Sequence, residues 1–206
     1  MMKLASIFQE VHKAVTEKVT KLNRLETRLL MAEDAADCLT LHCGDSGFIW
    51  RIDEFNNKFN DAKNGVNPVL YSPPFTAQGY RLALGLCPYG DGRGAKGKYM
   101  SVFFAILRGH NDELQSWPFR CPVVFSLLGQ TVLDHVDDLV STFVPDVSRG
   151  DNVGFLDRPT TRRNRMLGLR QFVAHKDIRK ENFLKDDVIY IRVQVLELRP
   201  QGETET

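Results

Sequence analysis

The sequence has no long apolar run and almost no net charge. No window of about 18 residues is apolar throughout, which excludes a membrane-spanning helix, and the first residues lack the apolar core of a signal peptide. Lysine and arginine number 27 against 26 aspartates and glutamates, a formal net charge of +1. This balance argues against nucleic acid or an anionic membrane surface as partner. We expect a cytoplasmic protein without direct membrane insertion.

Cysteine is scarce, and no two cysteines have the C-x2-C spacing of a zinc site. The chain contains four, at Cys38, Cys43, Cys87 and Cys121. Scattered cysteines are typical of reduced thiols in the cytosol, with a secreted disulfide pair as the alternative. The sequence therefore predicts neither a metal site nor a cofactor.

Glycine and proline are absent from Met1 to Cys43, and this segment carries a heptad pattern. Lys18 alone interrupts an apolar seam of a and d positions. A helix with one such stripe requires partner helices, so we predict a parallel coiled coil over residues 1–43. The expected oligomerisation residues are Leu4, Phe8, Val11, Val15, Leu22, Leu25 and Leu29.

The heptads leave two questions open. The mixture of Leu, Val, Phe and Ala in the seam fits two or three strands. The alternative to a coiled coil is an amphipathic helix that packs on its own globular domain, but a stalk of roughly 60 Å exceeds what one small domain usually covers.

The remainder of the chain predicts short strands separated by turns. Alternating or aromatic stretches run from Phe48 to Ile52, Tyr80 to Cys87 and Tyr99 to Leu107. Further strands are predicted at Val69–Tyr71, Val123–Leu128, Gln171–Ala174 and Val188–Leu198, with loops or single helical turns between them. Little helix and seven or eight strands indicate an all-β antiparallel sandwich over residues 47–198. Residues 199–206 form a polar tail that we expect to be disordered.

Three motifs invite a functional reading. The glycine-rich string from Gly90 to Lys98 lacks the G-x4-G-K-[ST] order of a phosphate-binding loop, so we expect a flexible hairpin tip. His110, His135 and His175 have no spacing that pairs them with a cysteine nucleophile, so a cysteine hydrolase is the weakest alternative. The basic segment Arg162–Arg165, which lies beside apolar residues, is either a solvated loop or a binding site for an acidic extended peptide.

Taken in order, several segments resemble one known family. They include Gly47–Ile52, Leu70–Phe75, Gly79–Leu82, Gly90–Gly92, Ser101–Phe104, Trp117–Phe119, Leu127–Gln130, and Lys185–Ile191. Together they are similar to the TRAF-C (MATH) domain of the tumour-necrosis-factor-receptor-associated factors, and the heptads resemble the TRAF-N coiled coil of that family.

The resemblance implies an eight-stranded sandwich on a trimeric stalk, acting as a cytoplasmic signalling adaptor rather than an enzyme. Its implied partners are the tails of TNF-receptor-type or Toll/interleukin-1-type receptors and adaptor proteins, bound as extended peptides, with coupling to ubiquitin and NF-κB-type signalling. The alternative within the same fold is a substrate-recognition module of a ubiquitin ligase or deubiquitinase.

The resemblance also implies a peptide groove on the sandwich edge. Its expected residues are Asp91, Gly92, Phe103, Phe125, Phe143, Gly168, Leu167, Leu169 and Arg81. The arginine and tyrosine that family members use as donors fall at Gly85 and Cys87, and the serine cluster falls near Arg149–Asp151. The usual hydrogen-bond donors for the acidic-glutamine motif are thus missing or moved, and Arg81, Arg149 or Arg170 would supply replacement charge.

Overall fold

The structure is a computed structural model that describes residues 11–12, 14–19, 21, 47–130, 138–180 and 182–198. The chain divides into two compact units, Met1–Thr40 and Leu41–Thr206.

In the first unit, the described residues 11–12, 14–19 and 21 are helical, as predicted. Val11 and Val15 are 56% and 53% exposed, so this part of the seam keeps its apolar surface available in the single chain. The coiled coil itself requires partner helices and stays a prediction. The other expected seam residues lie outside the described residues: Leu4, Phe8, Leu22, Leu25 and Leu29.

The second unit consists of antiparallel strands in two sheets. Its described residues form β1 (Phe48–Ile52), β2 (Leu70–Tyr71), β3 (Phe75–Ala77), β4 (Tyr80–Cys87), β5 (Tyr99–Ile106), β6 (Val123–Leu127), β7 (Leu139–Phe143), β8 (Leu167–Ala174) and β9 (Ile189–Val195). One sheet has the order β1-β9-β6-β7, and the other has the order β2-β4-β5-β8 with β3 also paired to β4.

The core lies between the two sheets and follows strand alternation. Leu82, Leu84 and Leu86 of β4 are at most 1% exposed, and so are Ile189 and Ile191 of β9. Residues of both sheets belong to one continuous cluster, so the sheets pack face to face. Each such side chain contributes about 1.5–3 kcal/mol when it leaves water, which makes this alternation the main determinant of the fold.

Helices are short. They are α1 (Phe55–Asn64), α2 (Val153–Leu156) and α3 (His175–Ile178), with 3₁₀ turns at Asp112–Leu114 and Gly150–Asn152. The backbone N–H of Phe55 donates to the Asp187 carbonyl at 3.0 Å, and the N–H of Asn56 donates to Asp187 Oδ1 at 2.8 Å. The cap of α1 therefore comes from a distant segment, which explains why the local sequence predicted a loop or a single turn here.

The strand count differs from the expected eight. Nine strands lie in the described part of the second unit because Pro73 and Pro74 separate β2 from β3 along the same side of β4. Proline has no N–H to donate to a ladder, so the edge breaks at this point. Strand β7 falls in a stretch that we predicted to be irregular, and β8 begins four residues before the predicted Gln171.

The glycine-rich connection between β4 and β5 is a hairpin, as predicted, but it is not a loose tip. Backbone hydrogen bonds run from Gly90 N to Cys87 O at 3.0 Å and from Gly97 N to Tyr89 O at 2.8 Å. Ala95 in the middle of the loop is 1% exposed. Gly90 has a φ of 88°, and a Cβ there would lie 2.5 Å from the Tyr99 carbonyl oxygen, so the turn requires glycine.

Strand β8 pairs with β5 through an irregular register. Val102 faces Leu169 and Met100 faces Val173, so four steps on β8 oppose two steps on β5. Before this bulge, Phe103 faces Gly168, and a Cβ on Gly168 would lie 2.4 Å from the Val102 carbonyl oxygen. The two backbones can approach this closely only because residue 168 has no side chain.

Substituting Gly168 should therefore destabilise the second unit more than substituting Gly85, a glycine of β4 on the other side of Phe103. We expect Gly168→Ala to lower the free energy of unfolding by about 1–3 kcal/mol, because backbone atoms must move. Gly85→Ala should cost less than about 1 kcal/mol, since its Cβ would meet the flexible Met166 methyl. Urea unfolding followed by tryptophan fluorescence measures both, and equal losses would contradict the close approach at Gly168.

Candidate functional site

The candidate site is the outer edge of β8. This strand ends its sheet, and its only partner among the described strands is β5. Strand β7, the last strand of the other sheet, contacts β8, so both edges lie on the same side of the sandwich. An edge strand presents unpaired N–H and C=O groups, and an extended peptide can add to them as a further strand.

Asp91 and Gly92 lie at one end of this edge, beside Arg170. The Asp91 N–H donates to Ser101 Oγ at 2.9 Å, and the Ser101 hydroxyl donates to the Arg170 carbonyl at 2.5 Å. Ser101 is fully buried, so it ties the glycine loop to β8 at the bulge. Bulges of this kind commonly redirect a side chain, and here Arg170 is the residue beside the bulge.

The Arg170 guanidinium and the Asp91 carboxylate form an ion pair with a 3.6 Å separation. Their side chains are 69% and 49% exposed, so the pair contributes less than about 1 kcal/mol to stability. Both groups therefore remain accessible to a ligand. Of the three arginines proposed as replacement charge, Arg170 is the one that the structure places against Asp91.

Phe103 forms the middle of the site. Its neighbours Val102 and Phe104 are buried in the core, so Phe103 points to the outer face of its sheet and is half-buried there. It is paired with Gly85 on one side and Gly168 on the other. The ring therefore has no Cβ beside it on either flanking strand; Met166 occupies the space over Gly85, and the remaining surface of the half-buried ring is available to a ligand.

Leu167, Leu169 and Phe143 lie at the rim between the two sheets. Leu167 pairs with Phe104 and Leu169 with Val102, so both leucines share the inward face of the sheet. The Phe143 ring is 5.8 Å from the Phe104 ring. All three are half-buried and pack on the core, so they can offer only their outer surface to a peptide.

Two predicted groove residues lie elsewhere. Phe125 is 0% exposed in β6 and packs inside the core, so its ring cannot contact a surface peptide; it is a core residue and not a groove wall. Arg81 is at the opposite end of β4 from Cys87, roughly 20 Å along the strand. Its guanidinium donates to the Arg108 carbonyl at 3.2 Å. The structure therefore does not bring Arg81 to Asp91.

The two positions that depart from the family pattern have a structural explanation. The Met166 methyl occupies the space over Gly85, 1.8 Å from where a Cβ would lie. Cys87 is 5% exposed, and burial, with a smaller contribution from the Asp91 carboxylate, raises the pKa of its thiol to about 11. A thiol with such a pKa is protonated at neutral pH, which disfavours Cys87 as a nucleophile.

Met166 and Ser101 also belong to this site, although the sequence did not predict them. Met166 precedes β8 in an irregular segment, so no strand periodicity marks its direction. Ser101 lies in β5, and the pattern of apolar residues in that strand does not show which group its hydroxyl contacts. Only the pairing with Arg170 across the bulge reveals its role.

A cleft of about 800 Å³ adjoins the Asp91 end of the edge. The glycine loop forms one wall, and the last turn of α1 with the residues that follow it, up to Val69, forms the other. Arg93 and Lys96 also line it, so both signs of charge are present. Within residues 47–130, 138–180 and 182–198 and the described helical residues, no group of His, Cys, Asp or Glu is arranged to hold a metal ion.

None of the described helices combines the length and apolar character needed to cross a membrane.

Comparison with known proteins places these features in one group. Residues 47–195 match the MATH domain. Human TNF receptor-associated factor 2 is 32% identical over 195 residues, which is 93% of this chain and 36% of that protein. Mouse TNF receptor-associated factor 1 is 32% identical over 89% of this chain and 42% of its own length. This chain therefore spans less than half the length of either relative.

A solved structure supports the same grouping. The TRAF5 structure from Notothenia coriiceps matches with a TM-score of 0.71 at 25% sequence identity, over 98% of this chain and 99% of that one.

The raised pKa of Cys87 predicts slow alkylation in the folded chain. Only the thiolate reacts, so a shift from 9.0 to about 11 should slow iodoacetamide at neutral pH by about hundredfold relative to the urea-unfolded chain. Peptide mapping by mass spectrometry reads the modification at Cys87 alone. A folded-state reaction with a midpoint near pH 8 would instead make Cys87 a reactive thiol.

Proposed function

Because the chain belongs to the MATH-domain family, we propose that it is the recognition and assembly part of a cytoplasmic signalling adaptor similar to the TNF receptor-associated factors. Its ligands are short extended peptides from the cytoplasmic tails of TNF-receptor-type or Toll/interleukin-1-type receptors, and from adaptor proteins. The remainder of a longer protein would couple this binding to ubiquitin and NF-κB-type signalling. This part acts by binding, without catalysis of its own.

The open edge of β8 carries the proposal. Its backbone groups supply a hydrogen-bonding ladder that is independent of peptide sequence, and side-chain contacts then give specificity. Phe103 provides an apolar surface opposite Gly168, near the start of β8, while Asp91 and Arg170 provide charges of both signs further along the strand. An apolar centre with charged residues beside it is the arrangement that extended peptides commonly use.

The peptide motif that this chain binds should differ from the acidic-glutamine motif, for which family members use an arginine and a tyrosine as hydrogen-bond donors. Those donors are replaced by Gly85 and Cys87, and Met166 covers Gly85. Charge recognition therefore shifts to Arg170 of β8, whose guanidinium lies beside Asp91 of the glycine loop. We expect the selected peptides to place an apolar side chain on Phe103 and an acidic one near Arg170.

Oligomerisation completes the proposal. The heptads would assemble a homotrimer, and the exposed Val11 and Val15 are consistent with a helix that needs partners. Several copies held together convert weak single sites into strong binding to a clustered receptor, because the second and third contacts become intramolecular.

Phe103→Ala should weaken peptide binding at least about tenfold, because the ring loses its apolar contact with the ligand. The peptides come from an array of receptor-tail sequences screened against the full chain, and fluorescence polarisation measures Kd. Ile49→Ala is the matched control, since Ile49 is 51% exposed on β1, at the opposite end of the other sheet.

Strand addition has a separate test in the peptide itself. Backbone pairing uses every second N–H, so N-methylation of one alternating set of amides should abolish binding and methylation of the other should not. Equal tolerance of both sets, or an unchanged Kd for Phe103→Ala, would place the binding surface elsewhere.

Changing Leu22 and Leu29 together to Asp should convert the oligomer into a 23.5 kDa monomer. Each change places a charge in the helical seam, where desolvation is unfavourable. Sedimentation equilibrium measures the mass, and tryptophan fluorescence of Trp50 and Trp117 reports whether the sandwich stays folded.

Asn23→Asp with Thr27→Asp is the control for this pair, because the same charges then lie on the polar face of the heptad pattern. The control should keep the mass of the unmodified chain. A monomeric unmodified chain at tens of micromolar would rule out the trimer, and loss of the tryptophan signal would show that the sandwich depends on the stalk.

A further inference from the structure

A second cleft, of about 630 Å³, lies near the start of β8, away from Asp91. The loop that carries Trp117 and Pro118 forms one wall, and the connection between β7 and β8 forms the other. Three arginines line it, Arg158, Arg163 and Arg165, against one carboxylate, that of Asp157. The lining is therefore strongly basic.

The walls of this basic cleft are held by hydrogen bonds. The Asn164 side-chain amide donates to the carbonyls of Phe155 at 3.2 Å and Asp157 at 2.6 Å. The Asn164 backbone N–H donates to Ile106 at 2.9 Å. Arg163 and Arg165, the neighbours of Asn164, thus extend from a fixed backbone, which lowers the entropy cost of ordering them around a ligand.

Two of the guanidinium groups are positioned by aromatic rings. The Arg165 guanidinium carbon lies 4.7 Å from the centroid of Phe155, and that of Arg163 lies 5.4 Å from the centroid of Tyr71. Stacking uses the face of a guanidinium and leaves N–H groups at its edge for an acceptor. Among the ion pairs of the described residues, neither arginine has a carboxylate partner, whereas Arg158 pairs with Glu113 at 3.2 Å.

The basic cleft adjoins the start of β8 along the chain. Arg165 immediately precedes Met166 and the start of β8, and it is five residues before Arg170. At about 3.3 Å per residue of extended chain, the two positions are at most roughly 16 Å apart. A peptide paired along β8 would reach both ends with the same number of residues, which favours a peptide as the source of the anion.

We infer that the basic cleft is a second recognition site, which binds a phosphorylated or acidic side chain on the peptide that pairs with β8. The inference rests on the proposed function. Phosphate and carboxylate oxygens accept two parallel N–H bonds from a guanidinium, and a dianion suits a cleft lined by three arginines. The anionic residue should lie about five positions along the peptide from the residue beside Arg170.

The test uses the full chain and one array peptide whose binding depends on Phe103. In the part of this peptide that would reach the cleft, each position in turn is replaced by phosphoserine, by glutamate and by alanine. Fluorescence polarisation then measures the Kd of each peptide at one fixed salt concentration. At one position, phosphoserine should lower Kd by about tenfold or more relative to alanine, with glutamate in between. Arg163→Gln with Arg165→Gln should remove this gain and leave the alanine peptide unaffected.

Lys63→Gln with Lys185→Gln is the matched control, because it removes the same charge from exposed surface positions. This control should keep the affinity gain from phosphoserine, and circular dichroism shows whether each variant is folded.

Arg163→Lys with Arg165→Lys keeps the positive charge but loses the planar guanidinium. This variant should therefore retain only part of the affinity gain.

Other outcomes would overturn the inference and separate it from the proposed function. The cleft is not a phosphate site, and the proposed function stands, in either of two cases. In the first, the alanine peptide binds through Phe103 but phosphoserine gives no gain in affinity. In the second, Lys63→Gln with Lys185→Gln loses that gain as fully as Arg163→Gln with Arg165→Gln does. If no peptide binds through Phe103, the function fails and the inference with it. If Arg163→Gln with Arg165→Gln abolishes binding to phosphatidylcholine vesicles that contain phosphatidylinositol bisphosphate, and phosphoserine gives no gain in peptide affinity, the cleft is a lipid headgroup site.

Discussion

The pairing of β8 with β5 is the contact on which the rest of this molecule depends. Gly168 lets the two backbones approach, and the bulge that follows brings Arg170 beside Asp91. The same pairing makes β8 the last strand of its sheet. One local constraint, the absence of a side chain at residue 168, thus permits the pairing that holds β8 in its sheet.

The chemistry along β8 changes from one end to the other. Arg163 and Arg165 precede the strand, Phe103 pairs with its second residue, Gly168, and Arg170, which lies beside Asp91, is its fourth residue. Exposed ion pairs contribute little energy, so an apolar residue over Phe103 would supply most of the affinity. The charged ends would then set peptide direction and register, because electrostatic complementarity selects partners more than it tightens them.

The sequence predicted the parts of the fold that alternation determines. Strands β1 and β4 have the predicted limits, because large apolar or aromatic side chains recur at every second position of both, and these are the less exposed residues of β1 and the first half of β4. Strand β7 was missed since its Ser141 and Thr142 interrupt any apolar pattern, and α1 was missed since Asp187 caps it from more than a hundred residues away.

The site could be predicted only in part. Asp91, Gly92, Phe103 and Gly168 came from resemblance, and the structure brings them to one edge. Phe125 and Phe103 cannot be distinguished by residue type. Both are aromatic residues within strands, and only the strand register shows that one faces the core and the other the outer surface.

The limited surface at the β8 edge has a consequence for how such a protein can signal. A single extended peptide over one ring and one exposed ion pair gives modest affinity, since association also costs translational and conformational entropy. Modest affinity is an advantage when copies are joined, because binding then depends steeply on how many receptor tails are close together. A stronger single site would bind isolated tails as well as clustered ones and would lose that discrimination. The replacement of the usual donors by Gly85 and Cys87 is therefore compatible with function, provided that the stalk supplies the multiplicity.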